Sequence, residues 1–169
     1  MKLLHLIPPP LHRLGYRVAH KARRAWLRRR GSITHGCTVV AHDGAGNFLL
    51  VRHSYGRDVW TFPSGGIRRD ETPIVAALRE FREELGCGLI DARRLATFKE
   101  SYAGATNVVH VFSGIADGVP RPDRREIVEA SFFARDRLPE PLSGKVASRL
   151  AAFDAAAEEA PAWHKLQQR

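Results

Sequence analysis

The sequence predicts one domain of the α/β or α+β class, a mixed β-sheet with helices on its faces. Short apolar segments bounded by turn residues recur over 37–62 and 92–134, which is typical of strands. Two longer segments, at 72–86 and 142–159, have the apolar spacing or alanine content of helices. A chain of 169 residues with 44% hydrophobic content is sufficient for one such domain. We expect a leader at 1–31, the domain at 32–160 and a tail at 161–169.

Local patterns place the individual strands. CTVVAH and FLLVRH flank the turn DGAGN, which predicts a β-hairpin over 37–53. Residues 60–62 are predicted as a short strand that Pro63 ends, with a loop over 63–66. Three further strands are expected after the first helix, the middle one buried on both faces: 92–98, 107–116 and 129–134.

The segment TPIVAALREFREELG, residues 72–86, predicts a helix with defined ends. Thr72 is a suitable N-cap, and Pro73 suits the first helical position because a missing N–H costs nothing there. Gly86 is expected to end the helix in the left-handed conformation. Apolar side chains at steps of four, three and four residues predict the face that packs on the sheet: Ile74, Leu78, Phe81 and Leu85.

Basic charge is concentrated at the N-terminus. Residues 1–31 hold nine Lys and Arg and no acid, whereas the other 18 basic residues are balanced by 18 acidic ones. Residues 11–30 predict an amphipathic basic helix. Three roles remain open for it: binding an anionic membrane, binding nucleic-acid phosphate, or packing on its own domain or in a homodimer.

Targeting signals are not evident in the sequence. No apolar run reaches the ~20 residues of a membrane-spanning helix. The apolar stretch that opens the chain is stopped by prolines at positions 8–10 and is too short for a secretory signal. We therefore expect a cytoplasmic protein, with peripheral membrane contact through the leader as the alternative.

Three glutamates, Glu80, Glu83 and Glu84, share one side of the predicted helix because they are three and four residues apart. Such crowding is unfavourable unless a cation offsets it. Arginines such as Arg79 are one candidate, and divalent cations are the other. The glycines that precede the helix favour the second, because their backbone can approach a ligand and offer a carbonyl oxygen to Mg²⁺ or Mn²⁺.

At these residues the chain resembles the Nudix hydrolase family, whose signature is G-x(5)-E-x(7)-R-E-U-x-E-E-x-G-U, with U a bulky aliphatic residue. Every glycine and charged position of the signature matches, while Phe81 and Cys87 depart from the aliphatic preference. The matching residues are Gly65, Glu71, Arg79, Glu80, Glu83, Glu84 and Gly86. The resemblance implies an α/β/α sandwich around a mixed sheet and Mg²⁺- or Mn²⁺-dependent cleavage of a pyrophosphate bond in a nucleoside diphosphate linked to another group.

The resemblance also implies roles for individual residues. Metal ligands would be the carboxylates of Glu80, Glu83 and Glu84, together with the carbonyl oxygen of Gly65. Arg79 would orient a glutamate, and Glu71 would hold the junction of loop and helix through Arg79. The general base would be one of the three helix glutamates or, from outside the motif, Glu126 or Glu129.

The substrate is less constrained by the sequence. Candidate substrate-binding residues are Arg52, His53, Tyr55, Arg57 and Tyr102, each of which is otherwise an ordinary loop or strand-edge residue. Nucleotide sugars and dinucleoside polyphosphates fit the motif. FPSGGI is also similar to the FPQGGI of bacterial RNA pyrophosphohydrolases, so RNA 5′-end hydrolysis is an alternative, and a non-catalytic nucleotide- or RNA-binding module is another. His110, within an apolar strand, is expected to be a core histidine.

Overall fold

The computed structural model describes residues 33–102 and 104–159, together with Gly15, Val18 and Ala22. The predicted leader helix at 11–30, apart from those three positions, and the predicted tail at 161–169 lie outside the described residues. The proposed boundaries at 31 and 160 stay predictions. In the described part of the chain, no helix is long and apolar enough to cross a membrane.

The structure confirms a mixed sheet with a helix on each face. The elements are β1 Ile33–His42, β2 Phe48–His53, β3 Ser64–Gly66, α1 Pro73–Leu85, β4 Gly88–Tyr102, β5 Ala105–Asp117, β6 Ile127–Phe133, a 3₁₀ turn Arg135–Arg137 and α2 Val146–Glu158. The sheet has six strands and runs in the order β4-β5-β1-β2-β6, with β3 paired to β1 beside this path.

Strand β1 organises the sheet because it has different partners at its two ends. Along one edge it pairs in parallel with β5 over ten residues. Along the other edge it pairs with β2 near His42, and with β3 near Cys37, antiparallel in both cases. Strand β3 therefore fits into the gap that opens where β2 diverges from β1, and this places Gly65 opposite Cys37 beside helix α1.

Two apolar clusters fill the space between the sheet and its helices. One lies under α1 and includes Val39, Leu49, Phe81 and Leu85. The other lies under α2, and its members include Val40, Leu50, Trp60, Phe62 and Leu150. Successive residues of β1 and β2 alternate between the clusters, as expected for strands buried on both faces.

Strand boundaries differ from the prediction around the glycines. Trp60 and Thr61 form only isolated bridges, with Leu142 and Val51 respectively. The strand lies instead at Ser64–Gly66, in the segment predicted as a loop. The later strands are at the expected places; β4 and β5 extend further at both ends, and β6 begins earlier than predicted. Strand β5 has Val111 under α2 and Phe112 under α1, so the expected burial on both faces is confirmed.

Helix α1 begins and ends as predicted. Thr72 is the N-cap in an extended conformation, although its side chain makes no capping hydrogen bond, and Gly86 is left-handed with φ 64°. The predicted apolar face was wrong at Leu78, which is 37% exposed, whereas Ala76 and Ala77 are fully buried. The small alanine side chains let the helix lie close to the sheet. Glu84 lies on the same face of the helix as these alanines and is buried with them.

Candidate active site

Glu84 is the buried carboxylate at the centre of the candidate site. Its residue is 4% exposed, and its Oε2 atom has no hydrogen-bond partner among the described residues. Burial raises the pKa of Glu84 well above its usual range, and the nearby negative charges of Glu126, Glu80 and Asp123 raise it further. In these surroundings an ionised carboxylate is unfavourable unless a cation compensates its charge; without a cation, the protonated form is favoured.

Arg79, one turn earlier in α1, connects the other acidic residues. Its Nε and Nη2 atoms each donate to one oxygen of Glu71 at 2.7 Å. Nη1 lies 2.7 Å from Oε1 of Glu80 and 3.3 Å from Oε2 of Glu83. Nη2 also donates to the Gly66 carbonyl at 3.2 Å. The expected orienting contacts of Arg79 are therefore present as geometry, and they join the glycine segment, the loop and the helix.

Hydrogen bonding explains the charge states around Arg79. Its bonds to Glu71 lower the pKa of that carboxyl to about 2 and raise the pKa of Arg79 itself. Glu71 also accepts the backbone N–H of Arg68 at 3.2 Å, which closes the loop in front of the helix. The pair thus stays ionised and fixes the entry to α1.

Gly65 lies against Glu80 at a distance that only glycine permits. A Cβ atom at position 65 would stand 2.2 Å from Cγ and 2.4 Å from Cδ of Glu80. The Gly65 carbonyl oxygen accepts a weak hydrogen bond from Sγ of Cys37 at 3.6 Å. Burial raises the pKa of Cys37 to about 11, so this thiol is protonated. Strand β3 and helix α1 therefore approach each other closely at Gly65 and Glu80.

Glu126 belongs to the loop before β6, and its negative charge contributes to the raised pKa of Glu84. The hydroxyl of Tyr55 donates a short hydrogen bond to Oε1 of Glu126. Burial raises the pKa of Tyr55, and the charges of Glu126 and Glu84 add to the shift. Tyr102 contributes to the same shift. Tyr55, one of the five substrate candidates from the sequence, therefore lies beside a carboxylate of the cluster, and Tyr102 influences the same tyrosine.

Other predicted residues are engaged differently. Arg52, on β2, pairs at the surface with Asp58 at 2.6 Å. It also pairs with Glu129, on the neighbouring strand β6, at 3.0 Å. Glu129, one of the two alternative bases, is thus held by an arginine, whereas Glu126 faces the cluster. Arg57 is exposed.

Two histidines also differ from simple expectations. The ring of His53 lies 5.2 Å from the ring of Tyr55. The prediction of His110 as a core residue was wrong. It is only partly buried and belongs to neither apolar cluster; its ring stacks on His35 at 6.3 Å.

Asp123 was missed by the sequence reasoning. Its charge adds to that around Glu84, and its carboxylate accepts the backbone N–H groups of Arg125 and Glu126. The signal was available in the motif PDRRE, because aspartate after proline and before polar residues is typical of side-chain-capped turns. It was missed because that motif says nothing about which element the turn contacts.

The predicted ligands have the chemistry that a divalent cation requires, although they are not grouped around one among the described residues. No three acidic, histidine or cysteine side chains among residues 33–102 and 104–159 are grouped tightly enough to hold an ion as they stand. One observation nevertheless fits a cation, the unpartnered Oε2 of buried Glu84. Carboxylate and carbonyl oxygens are the ligands that Mg²⁺ and Mn²⁺ prefer. Arg79 currently holds Glu80 and Glu83.

Comparison with known proteins identifies the class that this fold and site define. The family model described as NUDIX domain matches residues 34–154, so the chain belongs to the Nudix family. This match covers nearly the whole sheet and helix α2 as far as Asp154, well beyond the 23-residue motif.

Among curated proteins, the chain is similar to enzymes named RNA pyrophosphohydrolase. It is 47% identical to that of Halorhodospira halophila over 53 residues, which are 31% of this chain and 28% of the relative. It is 46% identical to that of Hydrogenovibrio crunogenus over 62 residues, 37% of each protein. The chain thus spans about a third of the length of these curated relatives.

Solved structures match over much more of the fold. A MutT NUDIX hydrolase from Burkholderia pseudomallei aligns with a TM-score of 0.65 and 27% identity over 71% of this chain and 97% of that one. A MutT protein from Methanosarcina mazei aligns with a TM-score of 0.67 and 19% identity over 77% and 99% of the two chains. These matches confirm the expected Nudix-like fold.

Proposed function

We propose that this protein is a divalent cation-dependent hydrolase that cleaves a pyrophosphate bond in a nucleoside diphosphate linked to another group. The observation that carries the proposal is the environment of Glu84, a buried carboxylate with an unpartnered oxygen and further acids around it. A structural role would be better served by an amide or an apolar side chain there, since burying an uncompensated charge is costly.

The residues that would hold Mg²⁺ or Mn²⁺ are Glu80, Glu83 and Glu84, with the carbonyl oxygen of Gly65. When bound, the cation neutralises phosphate oxygens and acidifies nearby water. In this structure Arg79 contacts Glu80 and Glu83, so these two carboxylates would hold the cation with the guanidinium beside them.

The protein's own groups supply the rest of the chemistry. Glu126 accepts the proton of the attacking water, because it faces the cluster while its alternative, Glu129, is paired with Arg52. Arg79 orients Glu80, and Glu71 keeps Arg79 in place. Tyr55, which is bonded to Glu126, and Tyr102 would contact the substrate.

A substrate panel tests this proposal. Purified protein is incubated with nucleotide sugars, dinucleoside polyphosphates and nucleoside triphosphates, with Mg²⁺, with Mn²⁺ or with EDTA, and the nucleotide products are separated. We expect turnover that requires the cation and disappears in Glu84→Gln, whereas the exposed Glu158→Gln serves as a matched control with unchanged turnover. A folded protein that binds these compounds and cleaves none would support a binding module instead.

RNA 5′-end hydrolysis is a second candidate, which the names of the curated relatives favour. The exposed Arg57 and Arg69 also support it, because neither side chain has an ion-pair partner in the described part of the chain and phosphate groups attract such arginines. A 5′-triphosphorylated RNA oligonucleotide is compared with the matching nucleoside triphosphate. Faster release of pyrophosphate from the oligonucleotide supports RNA; slower release favours the small-molecule substrates.

A further inference from the structure

The loop over 118–126, which joins β5 to β6, is bonded to the end of helix α1. The backbone N–H of Arg121 donates to the carbonyl of Leu85 at 2.6 Å, and that of Asp123 donates to the carbonyl of Glu84 at 3.0 Å. Carbonyls in the last turn of a helix have no donor within the helix. The loop therefore supplies donors to the same turn that carries Glu84.

The carboxylate of Asp123 organises the other side of the loop. Its Oδ1 atom accepts the backbone N–H groups of Arg125 at 3.0 Å, Glu126 at 3.0 Å and Ile127 at 2.9 Å. Arg124, which lies between Asp123 and Arg125, has φ 58°. This is a left-handed conformation that a residue with a side chain adopts only when its surroundings hold it there. Asp123 thus fixes the turn that leads into β6.

Glu126 is held by further contacts from β2 and the residues after it. The N–H of Ser54 donates to the Glu126 carbonyl at 2.8 Å, and its hydroxyl donates to the Arg125 carbonyl at 2.7 Å. The Tyr55 hydroxyl bonds the Glu126 carboxylate. These contacts depend on the position of the Glu126 backbone, and the three amide bonds to Asp123 hold that backbone in place.

We propose that Asp123 is a positioning residue for the hydrolytic reaction. Its amide is bonded to the residue that carries one carboxylate of the site, Glu84, and its side chain is bonded to the residue that carries another, Glu126. Asp123 thereby sets the separation of the two. This inference rests on the proposed function, in which Glu126 takes a proton from water close to the cation held by Glu84.

Two variants test the role of Asp123. Asp123→Ala removes the acceptor of three amides, whereas Asp123→Asn keeps one side-chain oxygen at the same place. Misplacement of a catalytic group by about 1 Å costs on the order of 10²-fold in rate. We expect kcat to fall at least about tenfold in Asp123→Ala, with KM within about twofold, and to recover most of that loss in Asp123→Asn.

Asp43 offers a matched control. Its carboxylate also organises a turn, accepting the N–H groups of Ala45 at 2.9 Å and Asn47 at 2.8 Å. This turn joins β1 to β2 at the end of β2 remote from His53, about 17 Å away for a strand of this length. Asp43→Ala is therefore expected to lower the melting temperature without changing kcat, because it loosens a turn that touches no carboxylate of the site.

Amide hydrogen exchange provides a readout that does not depend on turnover. In Asp123→Ala, the amides of Glu126 and Ile127 should exchange at least about tenfold faster than in the wild type, and they should be unchanged in Asp43→Ala. If Asp123→Ala does not fold, Ser54→Ala decides, because it loses the side-chain bond to the same loop and should lower kcat a few-fold.

The outcomes separate this inference from the proposed function. The inference is overturned if Asp123→Ala has the kcat of the wild type, or if Ser54→Ala does when that variant decides. In that case, the proposed function still stands as long as the wild type shows cation-dependent turnover. An equal fall of kcat in Asp43→Ala also overturns the inference, because the effect would then be general loosening. A wild type that cleaves no member of the panel overturns both.

Discussion

Arg79 and Glu71 form a two-point ion pair in which both N–O distances are 2.7 Å. The pair connects the loop before α1 to the turn of the helix that carries Arg79. The remaining N–H groups of Arg79 contact Glu80, Glu83 and the Gly66 carbonyl. One planar guanidinium therefore fixes the positions of most groups around the site.

Replacing Arg79 by lysine should abolish this arrangement while keeping the charge. A single ammonium group cannot bond both oxygens of Glu71 and also reach Glu80. We expect a fall in kcat on the order of 10²-fold, measured by product release under saturating Mg²⁺, with an unchanged circular dichroism spectrum. Arg82→Lys is the control, since Arg82 is exposed and has no ion pair in the described part of the chain. Equal activity of Arg79→Lys and the wild type would contradict the prediction.

The same ion pair predicts how stability depends on pH. Because the pKa of Glu71 is lowered from about 4.5 to about 2 by Arg79, its ionised form stabilises the folded state above pH 4.5. That contribution is lost as the pH falls from about 4.5 to about 2. Urea unfolding of the wild type and Glu71→Gln should therefore give a difference that is constant near pH 6 and shrinks in acid. A difference that does not change over this range would exclude the ion pair as its cause.

Gly65 and Gly66 allow a comparison of adjacent positions. Alanine at 65 would place Cβ 2.2 Å from Cγ of Glu80 and must displace that carboxylate, whereas a Cβ at 66 meets nothing within 4 Å. Overpacking of this kind costs about 1–3 kcal/mol. Gly65→Ala should lose stability in urea unfolding and nearly all turnover, and Gly66→Ala should retain both. Similar behaviour of the two variants would show that the approach of β3 to α1 is unimportant.

Glu84 should destabilise the protein when no cation is bound. Burial raises its folded-state pKa, so between about pH 4.5 and that raised value the unfolded state releases the proton more readily. Stability contributed by the protonated form is thus lost as the pH rises. In EDTA at pH 7, Glu84→Gln should melt at a higher temperature than the wild type, and Mn²⁺ should raise the melting temperature of the wild type more than that of the variant. A lower melting temperature of Glu84→Gln in EDTA would refute this.

Much of the fold could be predicted from local sequence. Pro73 and Gly86 mark the ends of α1, because proline suits the first helical position and glycine adopts the left-handed conformation after the last, and both preferences are local. The β1–β2 hairpin and the final helix follow from equally local patterns. Strand β3 could not be predicted, because a three-residue glycine strand exists only through its pairing with β1.

The site was predictable in its residue types and not in its contacts. The spacing of Glu80, Glu83 and Glu84 places them on one side of a helix in any fold. Burial of Glu84 alone depends on how closely α1 lies on the sheet, which Ala76 and Ala77 decide through tertiary packing. The different surroundings of Glu126 and Glu129 likewise depend on the loop before β6, whose conformation is set by contacts remote in sequence.

Mn²⁺ binding to the wild type and to Glu84→Gln tests the central claim most directly, because it needs no knowledge of the substrate. Free Mn²⁺ is followed by electron paramagnetic resonance during titration of metal-free protein at pH 7.5. The account predicts saturable binding to the wild type and an affinity at least about tenfold weaker in Glu84→Gln, a loss of about 1.4 kcal/mol or more. Equal binding by the two proteins, or none by the wild type, would contradict a cation site at Glu84.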